Sequence, residues 1–183
     1  MTALIKAPLA RWKQLDPLMR FVPVFLVYQL LITFFGEKLV RNYPVLHAGL
    51  ATTMAQAEYW IFSLFTDDIS MQARTVTYSG FPVTIVGECV GLLEFMIYTA
   101  AILAFPASWR QRAIGLVCGL PLLYLFNLVR IMMLLLVGAS SAELFEFFHV
   151  YFWQITLVLL VGGVWLLWVL LVVRREDRAV VHP

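Results

Sequence analysis

Hydrophobic and polar positions along the chain sort into long apolar runs joined by short polar or strand-like connectors. Lys6, Arg11, Lys13 and Arg20 precede an apolar run from Phe21 to Phe35. That is the layout of an uncleaved signal anchor, since the small-x-small stretch Gly49-Leu50-Ala51 lies too far downstream for cleavage. Residues 45–66 are helical in composition but mixed, with His47, Gln56 and Glu58 among the apolar positions. From 67 to 86 the pattern becomes alternating. Thr75-Val76-Thr77-Tyr78 and Val83-Thr84-Ile85-Val86 flank Ser79-Gly80, which predicts a β-hairpin. Pro82 confines its second strand to a sheet edge. A hairpin with open edges cannot sit in lipid, where every backbone polar group needs an internal partner. Three apolar runs follow, 87–105, 113–137 and 148–173, each near or above the ~20 residues that a bilayer crossing needs. The connector Ser108-Trp109-Arg110-Gln111-Arg112 and the tail Arg174-Arg175-Glu176-Asp177-Arg178 are basic.

Composition agrees with the pattern. With 62% hydrophobic and 13% charged residues, and a mean hydropathy of +0.88, the chain is an integral membrane protein. Its net charge of +2 is uninformative, but the placement of basic residues is not. If 45–66 stays out of the bilayer, the chain crosses four times, at about 18–36, 87–105, 113–137 and 148–173. Nine basic residues then fall inside (Lys6, Arg11, Lys13, Arg20, Arg110, Arg112, Arg174, Arg175, Arg178) and three outside (Lys38, Arg41, Arg74). If it spans, five fall inside and seven outside. The positive-inside rule favours four spans with both termini cytoplasmic. The expected architecture is a single all-α polytopic membrane domain over residues 1–183. It has about four transmembrane helices, an interfacial helix and a small β-hairpin, with 37–86 extracytoplasmic. The interfacial segment could lie along the surface or re-enter. Two cysteines make no disulfide scaffold, no zinc or haem-attachment spacing is present, and no basic patch suits nucleic acid. No cofactor, metal or nucleic-acid partner is expected.

That topology brings chemistry together. Cys89, in Gly87-Glu88-Cys89-Val90-Gly91, stands where a polar segment hands over to a membrane helix, a position that favours thiolate. Arg130 lies seven residues, ~10 Å, below the outer end of the 113–137 run. At that depth it should face the bundle interior. Glu94 is its natural ion-pair partner, so a structural and a functional role for Arg130 are both open. Asn127 is one turn away on the same face and suits a bond across helices. His149 opens the last span from the same side. Cys118 lies ~18 Å from Arg130 along the helix and reads as packing. Gly91, Gly115, Gly119 and Gly162-Gly163 read as close-approach positions.

Glu88-Cys89-Val90-Gly91, then Asn127-Leu128-Val129-Arg130-Ile131, then His149 resemble the Cys, Arg and His motifs of the exosortase/archaeosortase family over about residues 80–173. The chain is similar to its short, exosortase H type, for typical members have about eight spans. The residues after His149 lack the glycine that usually follows the family's histidine. The resemblance implies a bacterial inner-membrane cysteine peptidase or transpeptidase. Its substrates would be exported proteins that end in a short motif, a transmembrane helix and a basic tail, processed beside membrane lipid. It assigns Cys89, Arg130 and His149 as catalytic, with Asn127, Glu88 and Glu94 in support. Hydrolysis and transfer to an amine are equally compatible with a Cys-His thioester route, and the hairpin could hold an extended substrate motif by strand addition. Two other classes fit parts of the sequence: a haem-binding anchor through His47 and His149, and a small transporter built on Glu94 and Arg130. Neither uses Cys89.

Overall fold

A computed structural model describes residues 17–174 of the chain, apart from the side chains of Pro17, Leu18, Leu46, His47 and Glu88. Lys6, Arg11, Lys13, Arg175 and Arg178 lie outside the described residues. The elements run α1 (Pro17–Asn42), α2 (Pro44–Ser63), β1 (Ile69–Gln72), β2 (Thr75–Tyr78), β3 (Phe81–Thr84), α3 (Leu92–Ala104), α4 (Trp109–Ser140), α5 (Ala142–Phe147) and α6 (Trp153–Trp168). A 3-10 turn, Gly87–Val90, precedes α3. Wide π turns at Phe148–Phe152 and Val169–Val173 join α5 to α6 and extend α6.

Among the described residues, three helical stretches are long and apolar enough to cross a membrane: Met19–Asn42, Trp109–Ser140 and Ala142–Val173. The fourth expected span is shorter. Of 87–105, only the 13 residues of α3 are α-helical, ~20 Å against a hydrocarbon core of ~30 Å. The reason is local: Gly91 takes φ 77°, a left-handed conformation that glycine adopts freely, and separates the 3-10 turn from the helix. Cys89 therefore sits in the turn and not at the first residues of the helix.

Boundaries moved elsewhere for readable reasons. α1 continues to Asn42 and stops because Tyr43 precedes Pro44, whose ring disfavours helical backbone before it; Tyr43 takes φ −127°, ψ 67°. Much of the basic connector 108–112 is the first turn of α4, closed by a reciprocal capping box. Ser108 Oγ accepts from the Gln111 N–H at 3.3 Å, and Gln111 Oε1 accepts from the Ser108 N–H at 2.7 Å. The last span opens at Ala142, not 148, because the Ser141 hydroxyl accepts from the Leu144 N–H at 3.4 Å. His149 is thus inside that span, on its π turn, and not at its head.

The hairpin is part of a three-stranded antiparallel meander in the order β1-β2-β3. Ser79 and Gly80 both take positive φ (48° and 76°), the pair a two-residue hairpin turn requires. β3 begins at Phe81, two residues ahead of the expected Val83, and β1 is an added strand. Pro82 faces Thr77 on the edge strand β3, as expected of a residue without an N–H.

Two apolar cores hold these elements together. Ala51, Met54, Ala55 and Phe62 of α2 pack with Val76, Ile85, Leu128, Ile131 and Leu135 beneath the sheet, so α2 is seated on protein. Tyr98, Ile102, Leu123, Val161, Val164 and Trp168 fill the space between α3, α4 and α6. There Gly119 admits the Tyr98 ring, the Tyr98 hydroxyl donates to the Gly115 carbonyl at 2.9 Å, and the Trp168 indole donates to the Gln111 carbonyl at 2.8 Å. A Cβ on Gly162 or Gly163 would meet nothing within 4 Å, so these two are not close-approach positions. Cys118 is exposed on α4 rather than packed.

Candidate active site

The local sequence around Cys89 makes a compact turn before α3. The Cys89 N–H donates to the Val86 carbonyl at 3.0 Å. Its carbonyl accepts from Asn127 Nδ2 at 2.6 Å, a bond from α4 into the turn. Asn127 is buried and engaged on both sides. Its amide also reaches the Met54 sulfur at 3.5 Å, and Arg130 Nη1 lies 3.5 Å from its Oδ1, a long contact. One side chain therefore links α2, the Cys89 turn and Arg130. Gly91 belongs to the same arrangement, because a Cβ there would stand 3.2 Å from Asn127 Nδ2.

Arg130 lines a cavity of about 460 Å³ between α3, α4 and the last span. The polar part of its wall is Glu94, Arg130, His149 and Gln154; Gly87, Leu157 and Val161 are also among the lining residues. Arg130 is only 8% exposed, and its Nε has no hydrogen-bond partner. A buried guanidinium with a free N–H on a cavity wall is prepared for an acceptor that the described residues do not supply. Because α4 extends to Ser140, Arg130 is ten residues, ~15 Å, from its helix end, deeper than the ~10 Å read from the sequence. Glu94, in the first turn of α3, shares the cavity with Arg130. No hydrogen bond or ion pair joins the two among the described residues.

His149 is held by its π turn, in which the helix widens by a residue, a feature that recurs at functional sites. Its ring stacks on Phe145 (centroids 5.4 Å, planes 14° apart), and Phe145 in turn packs on Phe81 of β3 at 5.1 Å. The sheet thereby buttresses the histidine.

The structure brings Arg130, His149 and Glu94 to one cavity and ties Cys89 to it through backbone contacts. The Cys89 side chain is half-buried against the core beneath the sheet and is not in the cavity wall. No hydrogen bond joins it to His149. The Glu88 and His47 side chains are outside the described residues. Gln154, one turn past the π segment, was not singled out from the sequence. Neither was Glu58 as a core group, although 51, 54, 55, 58 and 62 form a regular helical stripe that places it there. Glu58 is 0% exposed, both its oxygens lack partners, and burial pushes its pKa up to about 8.

No curated protein and no solved structure matches the chain. The family model for transmembrane exosortases (Exosortase_EpsH) matches residues 16–168, from the start of α1 to the end of α6. With the match running through every helix and through the residues that meet at the cavity, the chain belongs to the transmembrane exosortase family.

Proposed function

We propose that this protein cleaves the C-terminal sorting signals of exported proteins, with Cys89 as nucleophile and a thioester as intermediate. Family membership already makes it a membrane-embedded sorting protease or transpeptidase in general terms. The observation that carries the finer reading is the single cavity shared by Arg130 and His149, adjoining the Cys89 turn at Gly87.

In this reading the Cys89 side chain turns from the core toward Gly87 and passes its proton to His149. The thiolate attacks the substrate carbonyl, and the unpaired Arg130 N–H meets the oxyanion in a dry site where such a bond is strongest. His149 then gives the proton to the leaving amine as the C–N bond breaks, and the acyl group stays on sulfur. Water or an amine releases it. Glu94 and Gln154 orient the peptide, and the apolar walls take the membrane-embedded part of the substrate. In this reading the site lies on the extracytoplasmic face of the bacterial inner membrane, which the nine-to-three distribution of basic residues under four spans supports.

The test is co-expression with an exported protein bearing a C-terminal motif, helix and basic tail. Cys89→Ala should abolish processing with the protein still in the membrane. Truncating one half-buried thiol costs ~1 kcal/mol of packing, whereas losing a nucleophile costs orders of magnitude in rate. Cys118→Ala, on an exposed face, should process normally. Processing by Cys89→Ala at the parent rate would defeat the proposal.

A further inference from the structure

Glu58 has no part in the mechanism above, yet it is completely inaccessible and neither carboxyl oxygen has a hydrogen-bond partner. A carboxylate held there would give up its hydration without compensation. Among the described residues its neighbours supply none. From α4 the titratable group beside it is Tyr124. The 3-10 turn packed on α2 contributes Cys89 and carries Glu88, whose side chain is outside the described residues, and β2 contributes Tyr78, which packs on Phe62. β1 has no titratable side chain, and the α1 residues Glu37, Lys38 and Arg41 are exposed. On α2 itself Tyr59 is half-buried.

Glu58 also stands at a sensitive place. It is one turn beyond Met54 on the stripe that faces α4, and Met54 is the α2 group touched by the Asn127 amide. The same amide holds the Cys89 carbonyl. Whatever pushes α2 off α4 disturbs the seat of the Cys89 turn.

We propose that Glu58 is a positioning residue, which as the neutral acid lets α2 pack on α4 with Asn127 engaged, and which on ionising loosens that contact and the Cys89 turn with it. This rests on reading Cys89 as the reactive thiol, but its test does not pass through catalysis. Burial pushes the Glu58 pKa up to about 8, so the loosening belongs to the alkaline side of neutrality.

The experiment uses the full chain in membranes with Cys118→Ala, leaving Cys89 as the sole thiol. Its labelling rate with a membrane-impermeant maleimide is followed from pH 6.5 to 9, with and without Glu58→Gln. Thiol ionisation raises both rates alike, about tenfold per unit below the thiol pKa, so it cancels in their ratio. The protein that keeps Glu58 should match its Glu58→Gln counterpart near pH 6.5 and label several-fold faster above pH 8. A ratio that stays flat overturns the proposal. Should Glu58→Gln fail to fold, the protein that keeps Glu58 decides alone: its thermal midpoint must fall as pH rises from 4.5 to 8 and level off beyond. A midpoint that is flat across that window overturns the proposal as well.

Discussion

Asn127→Leu is the substitution that most directly interrogates how the site is assembled. It keeps the side chain's branched outline, in a somewhat larger volume, but removes the donor to the Cys89 carbonyl, the contact to the Met54 sulfur and the acceptor facing Arg130 Nη1. Two buried polar groups, one of them charged, lose their partner. At ~1–3 kcal/mol for each unsatisfied group, the loss would be about 2–6 kcal/mol. Polar bonds in membrane proteins average nearer ~0.6 kcal/mol, because alternative partners exist within the bilayer. Here the 2.6 Å bond to a carbonyl in a fixed turn leaves little room for replacement, whereas the 3.5 Å contact to Arg130 is weak and contributes little. We therefore expect about 1–3 kcal/mol, or a fall on the order of 3–10 °C in thermal midpoint for a chain of this size. The assay is thermal unfolding in detergent, paired with maleimide labelling of Cys89. The substitution should speed labelling several-fold, because the turn is released. A midpoint within about a degree of the parent, together with unchanged labelling, would refute the claim that Asn127 seats the turn.

Two further outcomes follow from packing and charge. Gly119→Ala should cost about 1–3 kcal/mol, since the new methyl collides with the Tyr98 ring and breaks its bond to the Gly115 carbonyl; Gly162→Ala, with nothing within 4 Å, should be neutral, and thermal unfolding reads both. Reporter fusions should place residue 75 outside and residue 110 inside, and finding 75 in the cytoplasm would move the site to the wrong face.

The long helices were legible because burial in lipid demands apolar residues on every side, and that leaves runs no other element leaves. The β2–β3 hairpin was legible because Ser79-Gly80 is a chemical signature of its turn. What escaped notice was set by single side chains. Ser141 starts the last span inside a polar-apolar mixture, and Gly91, besides admitting Asn127, breaks the Cys89 run by its backbone conformation. β1 turns at Ala73, which takes φ 55° without a glycine to announce it. For the site, topology alone brought Cys89, Arg130 and His149 to the same side; one cavity gathers Arg130 and His149 with Glu94, while the Cys89 side chain stands outside its wall. The Asn127 bond to Cys89 spans 38 positions and depends on how α4 meets the turn, which no local pattern encodes. Glu58 shows the reverse case. As a polar residue it argued against a span, while its helical spacing from Met54 and Phe62 already placed it in the core.

The central claim is a covalent one, that the acyl part of the substrate passes through the sulfur of Cys89. Rapid acid quenching of the enzyme during processing, followed by mass spectrometry of its peptides, tests this directly. The account predicts the substrate's acyl fragment on the Cys89 peptide, released by hydroxylamine as a thioester should be and missing from Cys89→Ala. Processed substrate in the same sample with the fragment attached to any other residue would contradict it.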